Sequence, residues 1–404
     1  MTDDRTARDM RQDGSPAGVF AVFLRLGLTS FGGPIAHLGY FRTEFVARRK
    51  WIDDRSYADL VALCQFLPGP ASSQVGFALG LLRAGPLGAL AAFLGFTLPS
   101  ALMLIAFGYG AHAMGGPLGA GILAGLKIAA VAIVAQAVLG MARSLCPDRT
   151  RAAIAFGAVV VVTLLAGAAG QVAAIAAGAL AGLILCRGPA EGGAARLVFP
   201  VTRGAGAACL ALFTLLLVGL PLLTAALPAQ GPAQGIALFD AFYRAGSLVF
   251  GGGHVVLPLL EAEVVRPGWV APESFLAGYG AAQAVPGPLF TFAAYLGTVT
   301  GGLSGAAIAL VAVFLPGFLL LVGAIPFWDA LRARPGAQAL MRGANAAVVG
   351  ILGAALYDPV FTGAVTGPGA FALALGCFLL LALWKAPPWA VVVVAALGGV
   401  AAGA

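Results

Sequence analysis

The sequence predicts an all-α integral membrane protein with two homologous halves of inverted topology, in which some helices are broken or re-entrant. Three observations lead to this fold class: an apolar composition, long stretches almost free of charge, and a duplicated pattern of glycine and proline. Of the 404 residues, 60% are hydrophobic and only 10% are charged. Because a soluble domain carries about 25% charged residues, this chain lacks the polar side chains to cover a water-facing surface.

The apolar residues are clustered in stretches that are long enough to cross a membrane. Each stretch holds roughly 17 or more residues, and about 20 apolar residues span the hydrocarbon core as a helix. The stretches are residues 86–110, 118–142, 151–186, 205–228, 303–326, 339–357 and 363–384. None of them shows the polar face that a helix of a soluble bundle needs, so we predict a multi-pass protein of a cytoplasmic membrane.

Charge and cysteine content bear on partners and cofactors. Lys and Arg exceed Asp and Glu by a net charge of +7. In a membrane protein this excess reflects basic cytoplasmic loops, so no nucleic-acid partner is implied. The N-terminal residues mix Asp with Arg and do not resemble a signal peptide. The five cysteines are scattered without a C-x-x-C pair, so we expect small buried thiols and neither a metal site nor a redox cofactor.

The chain repeats itself at a nearly constant spacing. Phe31-Gly32-Gly33 recurs 219 residues later as Phe250-Gly251-Gly252, and Pro68-Gly69-Pro70 recurs as Pro286-Gly287-Pro288. Further equivalent pairs are Arg25 and Arg244, Glu44 and Glu263, Trp51 and Trp269, Gln65 and Gln283, Pro99 and Pro316, and Lys127 and Asn345. We therefore predict a cytoplasmic tail (1–14), a first repeat (15–203), a linking transmembrane helix (204–228) and a second repeat (229–404).

Basic loops change sides between the two repeats. Residues 41–56 carry five Lys or Arg and their counterpart 261–273 carries one, whereas residues 332–342 carry three and their counterpart 111–118 carries none. Because basic loops stay in the cytoplasm, this exchange is expected if one repeat is inverted relative to the other. Inverted repeats are the architecture of many secondary transporters.

The number of crossings depends on how the interrupted apolar stretches are interpreted. If residues 17–47 and 57–82 and their copies enter the membrane and return, the basic segments share one side. This interpretation gives about nine full spans, four re-entrant hairpins and an external C-terminus. If the interrupted stretches cross fully, the chain has roughly 10 to 13 spans.

The recurrent breaks, Phe-Gly-Gly and Pro-Gly-Pro, stop one helix and start another. Proline removes an N–H donor, and glycine takes positive φ at no steric cost. In hydrocarbon such breaks survive only where they face protein or a watery cavity. A half-helix that starts at a break directs free N–H groups and a positive dipole end into that cavity, which favours an anion. The candidate starts are Pro34, Pro70, His254 and Pro288; the alternative is that each break is a kink.

We predict that residues at the breaks and charged residues inside apolar stretches bind the substrate. The break residues are Gly32, Gly33, Gln65, Pro68, Gly69 and Pro70, and in the second repeat Gly251, Gly252, Gln283, Pro286, Gly287 and Pro288. The charged residues are Arg25, Arg244 and Lys127, because charges inside a membrane are costly and arginine suits oxyanions. Alternatively, the arginines snorkel to the membrane surface and the glutamines cap backbone groups.

Three residues are candidates for proton coupling: Glu44, Glu263 and His37. A buried carboxylate with a raised pKa, or a histidine, can carry a proton during transport. Glu44 lies among three arginines in the sequence, so an interfacial ion pair is the alternative for this residue. A structural histidine is the alternative for His37 and for His254.

These motifs resemble the chromate ion transporter family in its long form with duplicated halves. The resemblance rests on Phe31-Gly32-Gly33-Pro34, Gln65-x-x-Pro68-Gly69-Pro70 and their second-repeat copies. It implies export of chromate from the bacterial cytoplasm across the inner membrane, chromate resistance, and sulfate as a competing analogue. It also suggests secondary transport driven by the proton-motive force. The expected partners are chromate or sulfate, protons and the lipid bilayer, and a homodimer stays open.

Two other functions are alternatives to this prediction. An anion channel of the same fold would be electrogenic and indifferent to a pH gradient. A membrane enzyme such as a chromate reductase would need a redox cofactor, and the sequence has no haem ligand pair, flavin fingerprint or cysteine cluster. We therefore predict a transporter and no enzyme.

Overall fold

The computed structural model describes residues 14–113, 116–165, 167–187, 199–226, 232–250, 255–328, 330 and 334–402. These ranges are helical and contain no strand. The helices are α1 (Pro16–Thr29), α2 (Gly33–Phe41), α3 (Asp54–Phe66), α4 (Ala71–Ala113), α5 (Gly116–Leu145), α6 (Arg149–Leu164), α7 (Ala168–Leu185), α8 (Arg203–Ala226), α9 (Pro232–Ser247), α10 (Val256–Leu260), α11 (Pro272–Ala284), α12 (Phe292–Ala324), α13 (Pro335–Ala355), α14 (Pro368–Ala382) and α15 (Pro388–Ala401).

Five helices in the described ranges are long and apolar enough to cross a membrane: α4, α5, α8, α12 and α13. Four shorter helices, α1, α7, α14 and α15, are also apolar. This architecture confirms the prediction of an all-α membrane protein. The number of crossings and the inversion of one half stay predictions.

The two halves share unusual backbone features at equivalent positions. The π-helical segment Arg42–Arg48 continues α2, and the π-helical segment Glu261–Val265 continues α10. Helices α4 and α12 each bend at a glycine with positive φ: Gly85 has φ 64° and ψ −157°, and Gly302 has φ 61° and ψ −147°. Matching bends in the same order agree with the duplication that the motifs predict.

The bend divides α4 into two antiparallel arms, residues 71–83 and 86–113. Gly80 and Gly88 lie directly against each other across the bend, an approach that a straight helix would not allow. The guanidinium of Arg83 lies 5.3 Å from the ring centre of Trp51, which precedes α3. The end of the first arm of α4 therefore lies close to the residue that precedes α3.

Helices of each half pack against helices of the other half. Helix α5 packs against α14 and α15 of the second half, and α13 packs against α6 and α7 of the first half. Glycines permit this approach, because a Cβ on Gly125 would overlap the carbonyl of Ala395 and a Cβ on Gly343 would overlap that of Gly178. Small residues at such contacts are typical of helices that associate in membranes.

One pair of equivalent helices differs in its surroundings. Leu276 and Gly280 of α11 are buried, and Gly280 lies directly against Leu126 of α5. The equivalent residues of α3, Ala58 and Ala62, are exposed. The two halves are therefore related in fold and differ in how tightly this helix is covered.

Candidate functional site

The helix breaks of the two halves are hydrogen-bonded to each other. The N–H of Gly287 donates to the carbonyl of Ser30 over 2.9 Å, and the N–H of Gly69 donates to the carbonyl of Val249 over 2.7 Å. Ser30 and Val249 each precede a Phe-Gly-Gly motif. Each Pro-Gly-Pro break is therefore hydrogen-bonded to the residue that precedes the Phe-Gly-Gly motif of the other half.

The predicted breaks interrupt the helices in the first half. Helix α1 ends at Thr29 and α2 begins at Gly33, and positive φ occurs at Gly32, which caps α2 (98°), and at Gly33, its first residue (76°). Val256 is the first residue of α10. Gly251, Gly252 and His254, which were also predicted for this role, lie outside the described residues.

The Pro-Gly-Pro breaks are tightly packed. Gly69 has φ 121° and Gly287 has φ 99°, a region that side chains with a Cβ rarely adopt. A Cβ on Gly69 would lie 3.0 Å from Gly317 Cα, and one on Gly287 would lie 2.8 Å from Ser100 Oγ. Only glycine fits these two positions without displacing the neighbouring helix.

The prolines of these breaks present carbonyl acceptors. The amide of Gln74 donates to the carbonyl of Pro68 over 3.0 Å and to that of Gly317 over 2.9 Å. In the second half, the hydroxyl of Thr291 donates to the carbonyl of Pro288 over 2.7 Å. Pro70, Pro286 and Pro288 are buried, so the backbone around both breaks is held by side chains of α4 and of the turn that leads into α12.

The two predicted glutamines differ in environment. Gln65 is exposed at the end of α3. Gln283 is half-buried at the end of α11, and its side chain hydrogen-bonds Tyr279. The two equivalent glutamines therefore differ: the side chain of Gln65 is exposed, whereas that of Gln283 is half-buried and hydrogen-bonded to Tyr279.

The predicted arginines also differ. The side chain of Arg244 pairs with Glu263 over 2.7 Å and with Asp240 over 3.1 Å. Arg25 is exposed on α1, because Ala21 stands where α9 has Asp240 and Glu44 pairs elsewhere. Arg244 is thus neutralised by carboxylates, whereas Arg25 faces outward from the described part of the first half.

The equivalent carboxylates Glu44 and Glu263 lie outside the five long apolar helices and differ in charge state. Burial raises the pKa of Glu44, but the ion pairs with Arg49 and Arg48 outweigh it and hold this pKa below its usual value. Burial raises the pKa of Glu263 to about 7, although Arg244 opposes the shift. Glu263 is therefore able to exchange a proton near neutral pH, whereas Glu44 stays ionised.

Lys127 lines a cavity of about 530 Å³ between the halves. Glu273, Ser274, Tyr295 and Thr366 also line this cavity. Among the described residues, Lys127 forms no ion pair. The cavity therefore combines a cation and a carboxylate with several neutral polar groups, beside the helix that leads to the second Pro-Gly-Pro break.

The structure also reveals polar residues that the sequence analysis missed. Ser30, His37, Ser72, Ser73 and Thr97 are buried around the first-half breaks. His37 alone was predicted. Single serines and threonines are common in membrane helices, so only an alignment of the two repeats could have singled out the others. Within the described ranges, no three His, Cys, Asp or Glu side chains come together as metal ligands would.

Comparison with known proteins identifies the family. The model of the chromate transporter family matches residues 17–183 and 236–400. The chain is 32% identical to the chromate transport protein of Pseudomonas aeruginosa over 84% of this chain and 80% of the relative. It is 29% identical to a probable chromate transport protein of Synechococcus elongatus over 94% of this chain and 93% of the relative. No solved structure matches the chain. Because one family model covers most of the chain in two copies, the chain belongs to the chromate transporter family, whose named relatives are transport proteins and not enzymes.

Proposed function

We propose that the protein carries chromate through the region where the helix breaks of the two halves meet. The proposed direction is export from the bacterial cytoplasm across the inner membrane, with chromate resistance as the consequence. The names of the relatives support chromate as the cargo. The observation that supports the location is the pair of cross-half hydrogen bonds, Gly287 to Ser30 and Gly69 to Val249, because they bring interrupted helices together between the repeats.

The chemistry of this region favours an oxyanion. Helices α2 and α4 begin at breaks, so their first N–H groups and positive dipole ends are free to face an anion. Lys127 lines a separate cavity between the halves, together with Glu273, and we propose that its charge attracts the anion toward the path. Sulfate is a tetrahedral dianion of similar size to chromate, so we expect it to compete for the same path.

Proton coupling is proposed for the second half. Glu263 is paired with Arg244 over 2.7 Å, and its raised pKa of about 7 allows it to gain a proton near neutral pH. Protonation would leave Arg244 with Asp240 alone. This change in the ion pairs of Arg244 would link the proton gradient to the packing of α9 against α10.

The experiment that tests this function is chromate uptake into liposomes that contain the purified protein. An imposed pH gradient supplies the driving force, and protein-free liposomes give the background. We expect saturable chromate uptake that responds to the pH gradient and is inhibited by sulfate. Lys127→Ala is expected to reduce this flux, and Lys50→Ala, an exposed lysine outside the apolar helices, serves as the matched control.

The alternative is an anion channel of the same fold. A channel would show chromate flux that follows the membrane voltage and ignores the pH gradient. Flux of this kind would replace the coupled mechanism and retain the cargo. Absence of chromate flux in a protein that is folded and inserted would contradict the cargo itself.

A further inference from the structure

A cluster of buried polar side chains surrounds the breaks of the first half. The cluster consists of Ser30, His37, Ser72, Ser73 and Thr97, and none of them is more than 4% exposed. Nδ1 of His37 lies 3.4 Å from Oγ of Ser72, which joins the first turns of α2 and α4. The His37 ring also stands edge-on to Phe96, the neighbour of Thr97, at a centroid distance of 5.2 Å.

The cluster is hydrogen-bonded to the other half. The carbonyl of Ser30 accepts the cross-half hydrogen bond from Gly287. Gly287 in turn lies against Ser100, whose hydroxyl donates to the carbonyl of Thr97 over 3.1 Å. The polar side chains therefore lie at the junction of α1, α2, α4 and the Pro-Gly-Pro break of the other half.

Three hydroxyls of the cluster have no partner among the described residues: Oγ of Ser30, Oγ of Ser73 and Oγ1 of Thr97. His37 hydrogen-bonds the backbone of Ser30 and lies against Ser72. Buried polar atoms are nearly always hydrogen-bonded, so three such hydroxyls in one region require an explanation. Each hydroxyl can donate a hydrogen bond.

The second half is apolar at most positions equivalent to this cluster. The residues equivalent to Ser30, His37 and Thr97 are Val249, Val256 and Phe314. The turn after Pro70 reads Ala-Ser-Ser-Gln, whereas the turn after Pro288 reads Leu-Phe-Thr-Phe. Its one polar residue, Thr291, has its hydroxyl engaged with the carbonyl of Pro288. At these equivalent positions, the first half is therefore more polar than the described part of the second half.

We propose that the first half supplies the main recognition site for the oxyanion, through the hydroxyls of Ser30, Ser73 and Thr97. This inference rests on the proposed function and specifies its binding site. The N-terminal turns of α2 and α4 supply the positive dipole ends, and the hydroxyl donors bind the oxygens of a tetrahedral dianion. His37 contacts Ser72 and holds the first turns of this region in place.

Equilibrium binding of radiolabelled chromate to the purified full-length protein tests the proposal. Ser30→Ala, Ser73→Ala and Thr97→Val each remove one hydroxyl and are expected to weaken binding by about tenfold, the effect of losing a hydrogen bond to a charged group. Thr298→Val is the control, because Thr298 is a buried second-half hydroxyl engaged with Ala294. The affinity of Thr298→Val for chromate should equal that of the wild-type protein.

Three results would overturn the proposal. If the first-half variants keep wild-type affinity for chromate, the site lies elsewhere, although the proposed function stands. If those variants change only a dependence on Na⁺, the cluster holds a cation. If the wild-type protein binds neither chromate nor sulfate and shows no flux, the proposed function fails and this inference fails with it.

If the alanine and valine variants do not fold, a second measurement can still test the proposal. Ser73→Cys is introduced into a protein whose five native cysteines have been replaced, and its alkylation by a maleimide is followed with and without chromate. Folded protein is selected by gel filtration before labelling. Slower alkylation in chromate supports the proposal, and an unchanged rate contradicts it.

Discussion

Equivalent arginines of the two halves have acquired different surroundings. Arg244 holds two carboxylates, Asp240 and Glu263, that are themselves nearly buried. Arg25 occupies the same position of the repeat and is exposed, because Ala21 replaces the aspartate. The sequence alone predicted one role for both residues; the ion pairs depend on neighbours that are not duplicated.

Replacement of these arginines should affect stability unequally. Arg244→Ala leaves two buried carboxylates without a counter-charge, and we expect a loss of roughly 1–3 kcal/mol, reduced from that of a fully buried pair by the partial exposure of the arginine. Arg25→Ala, the matched control, should change stability little. Thermal unfolding of the purified variants in detergent measures both, and equal shifts would contradict the ion-pair account.

The raised pKa of Glu263 predicts a pH dependence of stability. Its pKa of about 7 in the folded protein exceeds the ordinary value of 4.5, so the folded state binds this proton more tightly. The resulting stabilisation is complete below about pH 4.5 and is lost as the pH rises through about 7. Glu263→Gln should therefore flatten the fall in unfolding temperature between about pH 5 and pH 8.

Glu44→Gln is the matched control for this measurement. The pKa of Glu44 lies below its usual value, so Glu44 stays ionised over the same pH range. This variant should keep the wild-type slope. A wild-type slope in Glu263→Gln as well would show that another group titrates.

At the scale of helices, glycines allow helices of the two halves to pack closely against each other. Gly125 of α5 lies against Ala395, and Gly343 of α13 lies against Gly178. These two glycines are equivalent in the repeats, and so are the contacts they make. Their partners in the opposite half are far away in the sequence, so these contacts could not be predicted before the helices were assembled.

Bulky replacements at these glycines should separate the halves. Gly125→Leu or Gly343→Leu forces a side chain into the carbonyls of the neighbouring helix, and overpacking of this kind costs about 1–3 kcal/mol or more. Gly140→Leu on α5 and Gly353→Leu on α13 are controls, because nothing lies within 4 Å of a Cβ at either position. Folded yield after gel filtration is the measurement, and equal yields for all four variants would contradict this packing.

Much of the fold follows from the sequence because its signals are local. Proline and glycine at residues 68–70 and 286–288 stop helices whatever surrounds them, and the apolar stretches are long enough to identify. The buried cluster at Ser30, Ser73 and Thr97 was missed, because a hydroxyl in an apolar helix carries no local signal. Its significance depends on the approach of α1, α2 and α4, which is a property of the assembled molecule.

At the scale of the whole molecule, the two halves are covered to different extents. Ala58 of α3 is exposed, whereas its equivalent Leu276 of α11 is 1% exposed. Two related halves in unequal arrangements are expected of a transporter that opens to one side at a time. The exposed face of α3 also carries Gln65, a polar side chain suited to a watery opening.

Cysteine labelling tests this asymmetry. In protein without its native cysteines, Ala58→Cys should react with a water-soluble maleimide several times faster than Leu276→Cys. Chromate is expected to change the two rates in opposite directions if the arrangements exchange during transport. Equal rates without chromate would show that α3 is covered like α11.

The most direct test of the central claim is a crystal structure of the protein with chromate, analysed by anomalous scattering from chromium. The account predicts one chromium peak at the junction of the helix breaks, beside Ser30, His37 and Ser73 of the first half. A peak confined to the Lys127 cavity or to the second half would contradict this location. Absence of any peak in crystals saturated with chromate would contradict the binding site as a whole.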